Sequence, residues 1–158
     1  MTELDPHLVT GVADGNVLRA LFEGLVTEDP VDLRPVPGVA ERWEPSADGR
    51  EYTFHLRANA RWSNGDPVTA QDFLFSFQRI LSPKFGAEYA SMLHCVRGAK
   101  DFNEGKLKDF GQVGFKATGP RTLIIELDNA VPYFLQLICH HSWLPVHPPT
   151  ILKFGHME

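Results

Sequence analysis

Histidine and cysteine are the side chains of this sequence with the chemistry to hold a metal ion. His140, His141 and His147 lie close together near the C-terminal end, and His94 adjoins Cys95. Adjacent residues point in different directions on a helix or a strand, and the sequence has neither an HxxxH nor a CxxC spacing. A donor set would need partners from elsewhere in the chain, so we expect no metal site and no cofactor.

Carboxylates are plentiful, but the most prominent ones have a local explanation as a helix cap, a turn residue or a helix-end charge. They are Asp5, Glu23, Asp48, Asp66 and Asp72. The chain has no GxSxG nucleophile motif and no glycine-rich loop that would cradle a phosphate. We therefore expect a protein that is not an enzyme, and a hydrolase or metal-dependent enzyme domain is the alternative hypothesis.

The two cysteines, Cys95 and Cys139, are too few and too far apart in sequence for a disulfide framework. Cysteine is among the residue types most often found buried, so two free buried thiols are the expected state. A single disulfide between them stays open at this level.

Aromatic residues make up 11% of the chain, which is generous for a globular domain. Trp43, Trp62 and the trio Phe73, Phe75 and Phe77 could form a stacking platform for sugars or bases. Strand alternation and helical periodicity instead place most of them in a core. The net charge of -5, without a basic cluster, also disfavours nucleic acid as a partner.

The length of 158 residues suits one domain, which we expect to span 1–158. The longest apolar segment, 131–144, is interrupted by polar residues and proline, so no stretch predicts a transmembrane helix. The first residues lack the basic and apolar regions of a signal peptide. The chain stops soon after a proline-rich turn, without a closing core segment, so we expect it to be a piece of a longer protein.

Apolar spacing of i, i+3, i+4 and i+7 predicts a short amphipathic helix over residues 16–25, capped by Asp14 or Asn16. The three prolines of residues 30–37 predict an extended surface connection, because proline cannot donate a backbone hydrogen bond.

Residues 39–44 and 52–57 alternate on either side of Asp48-Gly49, which predicts a β-hairpin. A capped helix follows, with Thr69 as the cap and Asp72 three residues later, as in a capping box. These elements would place the alternating apolar side chains of the second strand on one face.

The later elements are a second helix, predicted to run from after Gly86 toward Phe102, and a second hairpin over 113–117 and 122–127. Pro132 at a first helical position predicts a helix over 133–138. Two hairpins among interspersed helices indicate an α+β fold with a mixed, largely antiparallel sheet and flanking helices.

Several motifs together resemble the signature of the family 5 extracellular solute-binding proteins, the receptors of oligopeptide, dipeptide and nickel ABC importers. They are AERWE at 40–44, DG at 48–49, YTFHLR at 52–57, NARWSNG at 59–65 and PVTAQDF at 67–73. Three further segments extend the resemblance over nearly the whole chain: LDPH at 4–7, residues 16–25 and VPYF at 131–134. The oligopeptide receptors in particular are similar at Gly11-Val12 and Tyr89-Ala90-Ser91.

The resemblance implies the N-terminal lobe portion of a bilobed periplasmic-binding-protein-like fold, whose later lobe is absent from this chain. It also implies a periplasmic or cell-envelope receptor that binds peptides between its lobes and delivers them to a membrane permease. By the same resemblance, Thr10, Gly11 and Val12 would lie along the peptide backbone and Tyr89 would face the cleft. Thr10 stands where the oligopeptide receptors tend to have an acidic residue, which weakens the expected contact with a basic ligand group.

Overall fold

The computed structural model describes residues 4–154, and none of its helices in that range is long or apolar enough to cross a membrane. The strands are β1 Val26–Glu28, β2 Pro35–Pro37, β3 Ala40–Pro45, β4 Glu51–Leu56, β5 Phe115–Gly119 and β6 Thr122–Glu126. The α-helices are α1 Val12–Leu21, α2 Ala70–Leu81, α3 Ala99–Asn103, α4 Phe134–Leu137 and α5 Pro148–Phe154.

The strands form a four-stranded sheet of order β3-β4-β6-β5 and a separate β1-β2 pair. The predicted α+β class is confirmed, and all of the strand pairs described in residues 4–154 are antiparallel. Helix α2 packs against β5, so the main core lies between this helix and one face of the larger sheet.

The first predicted hairpin is confirmed by the pairing of β3 with β4, which places Trp43 opposite Phe54. Tyr52, Phe54 and Leu56 are buried, whereas His55 between them is half-buried. This alternation is the period of two that a half-buried strand requires. The second predicted hairpin is confirmed by β5 and β6, and β6 is a central strand between β4 and β5.

Helix α2 begins with the predicted capping box. Thr69 Oγ1 accepts the N–H of Asp72 at 3.4 Å, and Asp72 Oδ2 accepts the N–H of Thr69 at 2.9 Å. The same Oδ2 accepts the indole N–H of Trp62 at 3.0 Å, which fastens the preceding turn to the helix. The largest apolar side chains of the buried face are Phe73, Phe77, Ile80 and Leu81, each worth about 2 kcal/mol by burial.

Helix α1 is of the predicted type but begins at Val12 rather than at residue 16. Gly11 is the N-cap, in an extended conformation, so Asp14 and Asn16 lie inside the helix and the predicted caps are wrong. The shift keeps Leu18 fully buried on the inner face of the helix. Leu21 of the predicted apolar stripe keeps 63% of its surface exposed, so only part of that stripe is buried.

The segment after α1 returns to the sheet region, so the predicted helical bounds are wrong at this end too. The carbonyl of Leu25 accepts the N–H groups of Gly38 at 3.2 Å and Ala40 at 3.0 Å. The proline segment 30–37 is also more ordered than expected, because β2 pairs with β1. Within β2, only Val36 has an N–H to donate, which suits the short edge pairing.

The long helix predicted between residues 86 and 102 is wrong. Glu88–Leu93 form a 3₁₀ helix, and α3 begins only after Gly98, whose φ of 71° is left-handed. Between them, the N–H of Arg97 bonds to the carbonyl of Glu126 at 2.9 Å. The chain breaks its helix because the end of β6 takes this backbone group.

The helix predicted at Pro132 is shorter than expected and begins later. Helix α4 starts at Phe134 with Tyr133 as its N-cap, so Pro132 precedes the helix instead of occupying its first turn. Phe134 packs edge-on against the buried Trp143, with ring centroids 5.8 Å apart, and Phe77 does the same at 5.4 Å. This aromatic packing anchors the C-terminal segment on the core.

Candidate ligand-binding site

The structure brings the four candidate site residues together. Thr10 and Gly11 lead into α1, Val12 is its first residue, and Tyr89 lies in the 3₁₀ helix Glu88–Leu93. The hydroxyl of Tyr89 donates a hydrogen bond to the carbonyl of Thr10 at 3.3 Å. All four line a pocket of about 150 Å³, shared with Gly15, Asn16, Arg19, His140 and His141.

The backbone before α1 is exposed and extended, with φ −80° and ψ 137° at Gly11. Thr10 and Gly11 are exposed, and Val12 keeps 83% of its surface accessible. Among the hydrogen bonds described for residues 4–154, none uses the N–H of Thr10 or Gly11. An extended backbone with free donors can pair with another extended chain, as an edge strand does.

His141 holds this backbone through a hydrogen bond to the preceding residue. Its side chain is buried, and its ring Nε2 lies 3.0 Å from the carbonyl of Val9, so Nε2 carries a proton and donates it. Gly15 permits this close packing, because a Cβ there would lie 3.2 Å from Nδ1 of the ring. Burial lowers the pKa of His141, which keeps the ring neutral near pH 7.

His140 lies beside His141 and completes an aromatic wall with Tyr89. The ring of Tyr89 meets His140 edge-on at 5.1 Å and His141 at 5.4 Å between centroids. His140 Nδ1 accepts the N–H of Ser142 at 3.2 Å. Tyr89 is half-buried, so it packs against the histidines and still borders the pocket. The motif search missed the two histidines as parts of this site, because it weighed them only as metal ligands.

A buried ion pair fixes the segment that leads to the site. Asp5 Oδ1 lies 2.9 Å from Nη1 of Arg79, and Oδ2 lies 2.6 Å from Nη2. The Arg79 side chain is fully buried, and its guanidinium lies 4.1 Å from the ring centroid of Phe85. An arginine on an amphipathic helix is expected to face solvent, so the sequence pattern does not reveal this role.

His7 extends this ion pair toward the C-terminal segment. Arg79 can only donate, so Nδ1 of His7 accepts from it at 3.0 Å. The proton of the neutral ring is then on Nε2, which donates to the carbonyl of Leu144 at 3.1 Å. Burial, assisted by the charge of Arg79, lowers the pKa of His7 to about 4, although Asp5 opposes the shift. Asp5 and His7 thereby fix the segment that precedes Thr10, through Arg79 of α2 and through Leu144.

The other residues considered for chemistry have structural surroundings. His147 Nε2 bonds to Asp66 at 3.0 Å, and its Nδ1 contacts the hydroxyl of Thr150 at 2.7 Å, a local contact at the start of α5. Cys95 and Cys139 are free thiols, and burial raises the pKa of each to about 11. Within residues 4–154, no group of three His, Cys, Asp or Glu side chains is placed to hold a metal ion.

Residues 34–154 of the chain match the family model of bacterial extracellular solute-binding proteins, family 5 Middle. The chain belongs to family 5 of these solute-binding proteins. The family resemblance drawn from the hairpin and helix-cap motifs is therefore confirmed.

Among family 5 relatives, the periplasmic oligopeptide-binding protein OppA of Escherichia coli is 46% identical over 96% of this chain and 28% of its own length. The solved complex of Haemophilus influenzae OppA with RPPGFSPFR has a TM-score of 0.92 at 42% identity, over 97% of this chain and 30% of that one. An oligopeptide transporter substrate-binding domain of Bacillus anthracis gives 0.93 at 39% identity, over 96% of this chain and 29% of that one.

The chain spans less than a third of the length of these family 5 relatives. They are solute-binding proteins rather than enzymes, so the hypothesis of a hydrolase or metal-dependent enzyme gains no support from them.

Proposed function

We propose that this chain forms one wall of a peptide-binding cleft in an extracytoplasmic, periplasmic or cell-envelope receptor. The parent receptor would deliver peptide to the permease of an ABC importer, with residues 1–158 as one domain of its N-terminal lobe. The names of the family 5 relatives, which include oligopeptide- and dipeptide-binding proteins, support this proposal.

The observation that carries the proposal is the exposed backbone at Thr10 and Gly11, which is extended at Gly11. Its free N–H groups point to recognition of a ligand through backbone hydrogen bonds. A peptide supplies matching carbonyls at every residue, whatever its side chains. The carbonyl of Thr10 already accepts the Tyr89 hydroxyl, and its second lone pair remains for a peptide N–H.

Tyr89 and His141 hold this backbone in place rather than leaving it to order on binding. Each donates to a carbonyl of the segment, Tyr89 to Thr10 and His141 to Val9. A preorganised segment avoids part of the entropy cost of association. One wall alone leaves much of a peptide in water, so we expect this chain by itself to bind weakly, with a Kd of about 1 mM.

Amide chemical-shift mapping of the isotopically labelled chain with Ala-Ala-Ala tests the proposal, because NMR detects weak binding. The decisive variant is Gly11→Pro, which removes one N–H while its ring suits the observed φ of −80°. We expect it to weaken binding about fivefold, the value of one hydrogen bond.

Gly11→Ala is the matched control, because it keeps the N–H and places its Cβ 3.1 Å from the movable carboxylate of Asp14. It should bind like the unmodified chain. Equal binding by the alanine and proline variants, or shifts that avoid residues 10–12 and Tyr89, would contradict the proposed contact.

A further inference from the structure

The pocket beside the exposed backbone is lined by basic and neutral groups. Among the described residues that line it, Arg19, His140 and His141 can carry positive charge, and none is a carboxylate. Its volume of about 150 Å³ suits a small side chain or a chain end rather than a large ring. The lining therefore favours a negatively charged ligand group, a preference that the backbone contacts alone would not supply.

His140 offers one nitrogen to a ligand in this pocket. Its Nδ1 accepts the N–H of Ser142 and lies 2.9 Å from the Ser142 hydroxyl, so the proton of the neutral ring is on Nε2. No hydrogen bond to Nε2 is described within residues 4–154. The ring is half-buried, and His140 is one of the residues that line the pocket.

The charged and titratable groups around His140 come from several elements. Arg19 on α1 borders the same pocket and lies 3.5 Å from Glu28 of β1, with both side chains partly exposed. Tyr89 and His141 pack on the ring, His141 in turn acts electrostatically on His7 of the N-terminal segment, and Asp14 adjoins Gly11. Neither the Glu28 nor the Asp14 carboxylate lines the pocket, and among the contacts described in residues 4–154 Arg19 meets Glu28 through Nη1 alone, so its other N–H groups remain for a second carboxylate.

We propose that this pocket selects a carboxylate of the bound peptide, held by His140 Nε2 and by Arg19, and that binding takes up a proton on His140 Nδ1, which then donates to the Ser142 hydroxyl in place of accepting the Ser142 N–H. The proposal rests on the proposed peptide-binding function and adds a ligand class to it. The carboxylate could belong to an acidic side chain or to the peptide C-terminus, which the experiment separates.

Electrostatics gives this preference a pH dependence. Burial lowers the pKa of His140 from 6.5 to about 4, and the charges of His141 and Arg19 act in the same direction. The empty pocket is therefore neutral at His140 near pH 7, and a carboxylate at hydrogen-bond distance would favour the imidazolium. If the bound ligand restores the pKa to its ordinary value, affinity for the carboxylate rises about tenfold between pH 7.5 and 5.5.

The test compares four peptides by NMR titration of the 158-residue chain at these two pH values. Ala-Asp-Ala-amide and Ala-Asn-Ala-amide isolate the side chain, and Ala-Ala-Ala with a free or an amidated end isolates the C-terminus. We expect the affinity of one acidic peptide, relative to that of its neutral partner, to rise about tenfold from pH 7.5 to 5.5. The His140 ring resonance should move to its protonated position when this peptide binds.

His140→Asn is the informative variant, because asparagine can still accept the Ser142 N–H as an N-cap but does not titrate. It should lose the pH dependence, so that each acidic peptide binds no more tightly at pH 5.5 than at pH 7.5. His55→Gln is the matched control, since His55 lies on β4 and does not line the pocket.

The outcomes separate this inference from the function beneath it. Binding of all four peptides with equal, pH-independent affinity would overturn the carboxylate preference and leave peptide binding standing. A pH dependence that persists in His140→Asn would overturn the role of His140. Absence of binding by every peptide would remove the proposed function and this inference with it.

Discussion

The buried ion pair of Asp5 and Arg79 predicts a large and specific loss of stability when its negative charge is removed. Asp5→Asn keeps the side-chain shape and the acceptor for the His7 N–H, which Oδ1 of Asp5 now accepts at 3.0 Å. It takes away the charge that faces the fully buried guanidinium. Removing one partner of a buried pair costs about 3 kcal/mol, because the other charge stays out of water.

Urea denaturation at pH 7, followed by tryptophan fluorescence, measures this cost. The buried Trp143 reports loss of the core. With a slope of about 2 kcal/mol per molar urea, the midpoint should fall by about 1.5 M.

Glu23→Gln provides the control for this prediction, because Glu23 and Arg57 form a bidentate pair of the same kind at the surface. Their side chains keep 41% and 37% of their surface exposed. An exposed pair contributes about 0.5 kcal/mol, which corresponds to a midpoint shift of about 0.25 M urea. If Asp5→Asn shifts the midpoint no further than this control, the reasoning from burial is refuted.

Two further predictions concern pH and the helix cap. The folded-state pKa of His7 is about 4, below its ordinary value of 6.5, so the unfolded chain is protonated first as the pH falls. The free energy of unfolding therefore decreases as the pH falls between those values, by about 3 kcal/mol in total. Urea midpoints at pH 7 and 4.5 should show a smaller difference in His7→Gln than in the unmodified chain. Thr69→Ala should lower the free energy of unfolding by about 1 kcal/mol through loss of the cap. Asp72→Ala should lower it more, because Asp72 accepts the indole N–H of Trp62 as well as the N–H of Thr69. Equal urea midpoints for the two variants would argue against the indole contact.

Sequence reasoning succeeded where a feature depends on neighbours along the chain. Asp48-Gly49 between alternating strands, and Thr69 with Asp72 before an apolar helix face, are local patterns, and both elements form as predicted. Each needs only contacts within a few residues, so its signal is present in a short window of sequence.

It failed where a distant element takes a backbone group. The helix expected through residues 86–102 breaks because Glu126 accepts the N–H of Arg97, and α1 ends early because Leu25 bonds to Gly38 and Ala40. Neither partner lies near enough in sequence for a periodic pattern to register it. The helix bounds were accordingly less predictable than the type of each element.

By itself, the sequence determined the two hairpins, the capped helix and the family 5 motifs, since these follow from residue type and spacing. Only the tertiary structure decided that Tyr89 meets Thr10, that His141 supports Val9, and that Arg79 is buried against Asp5. The physical reason is that a pocket is built from side chains of separate elements. Their juxtaposition depends on how those elements pack around a shared core, which no local spacing encodes.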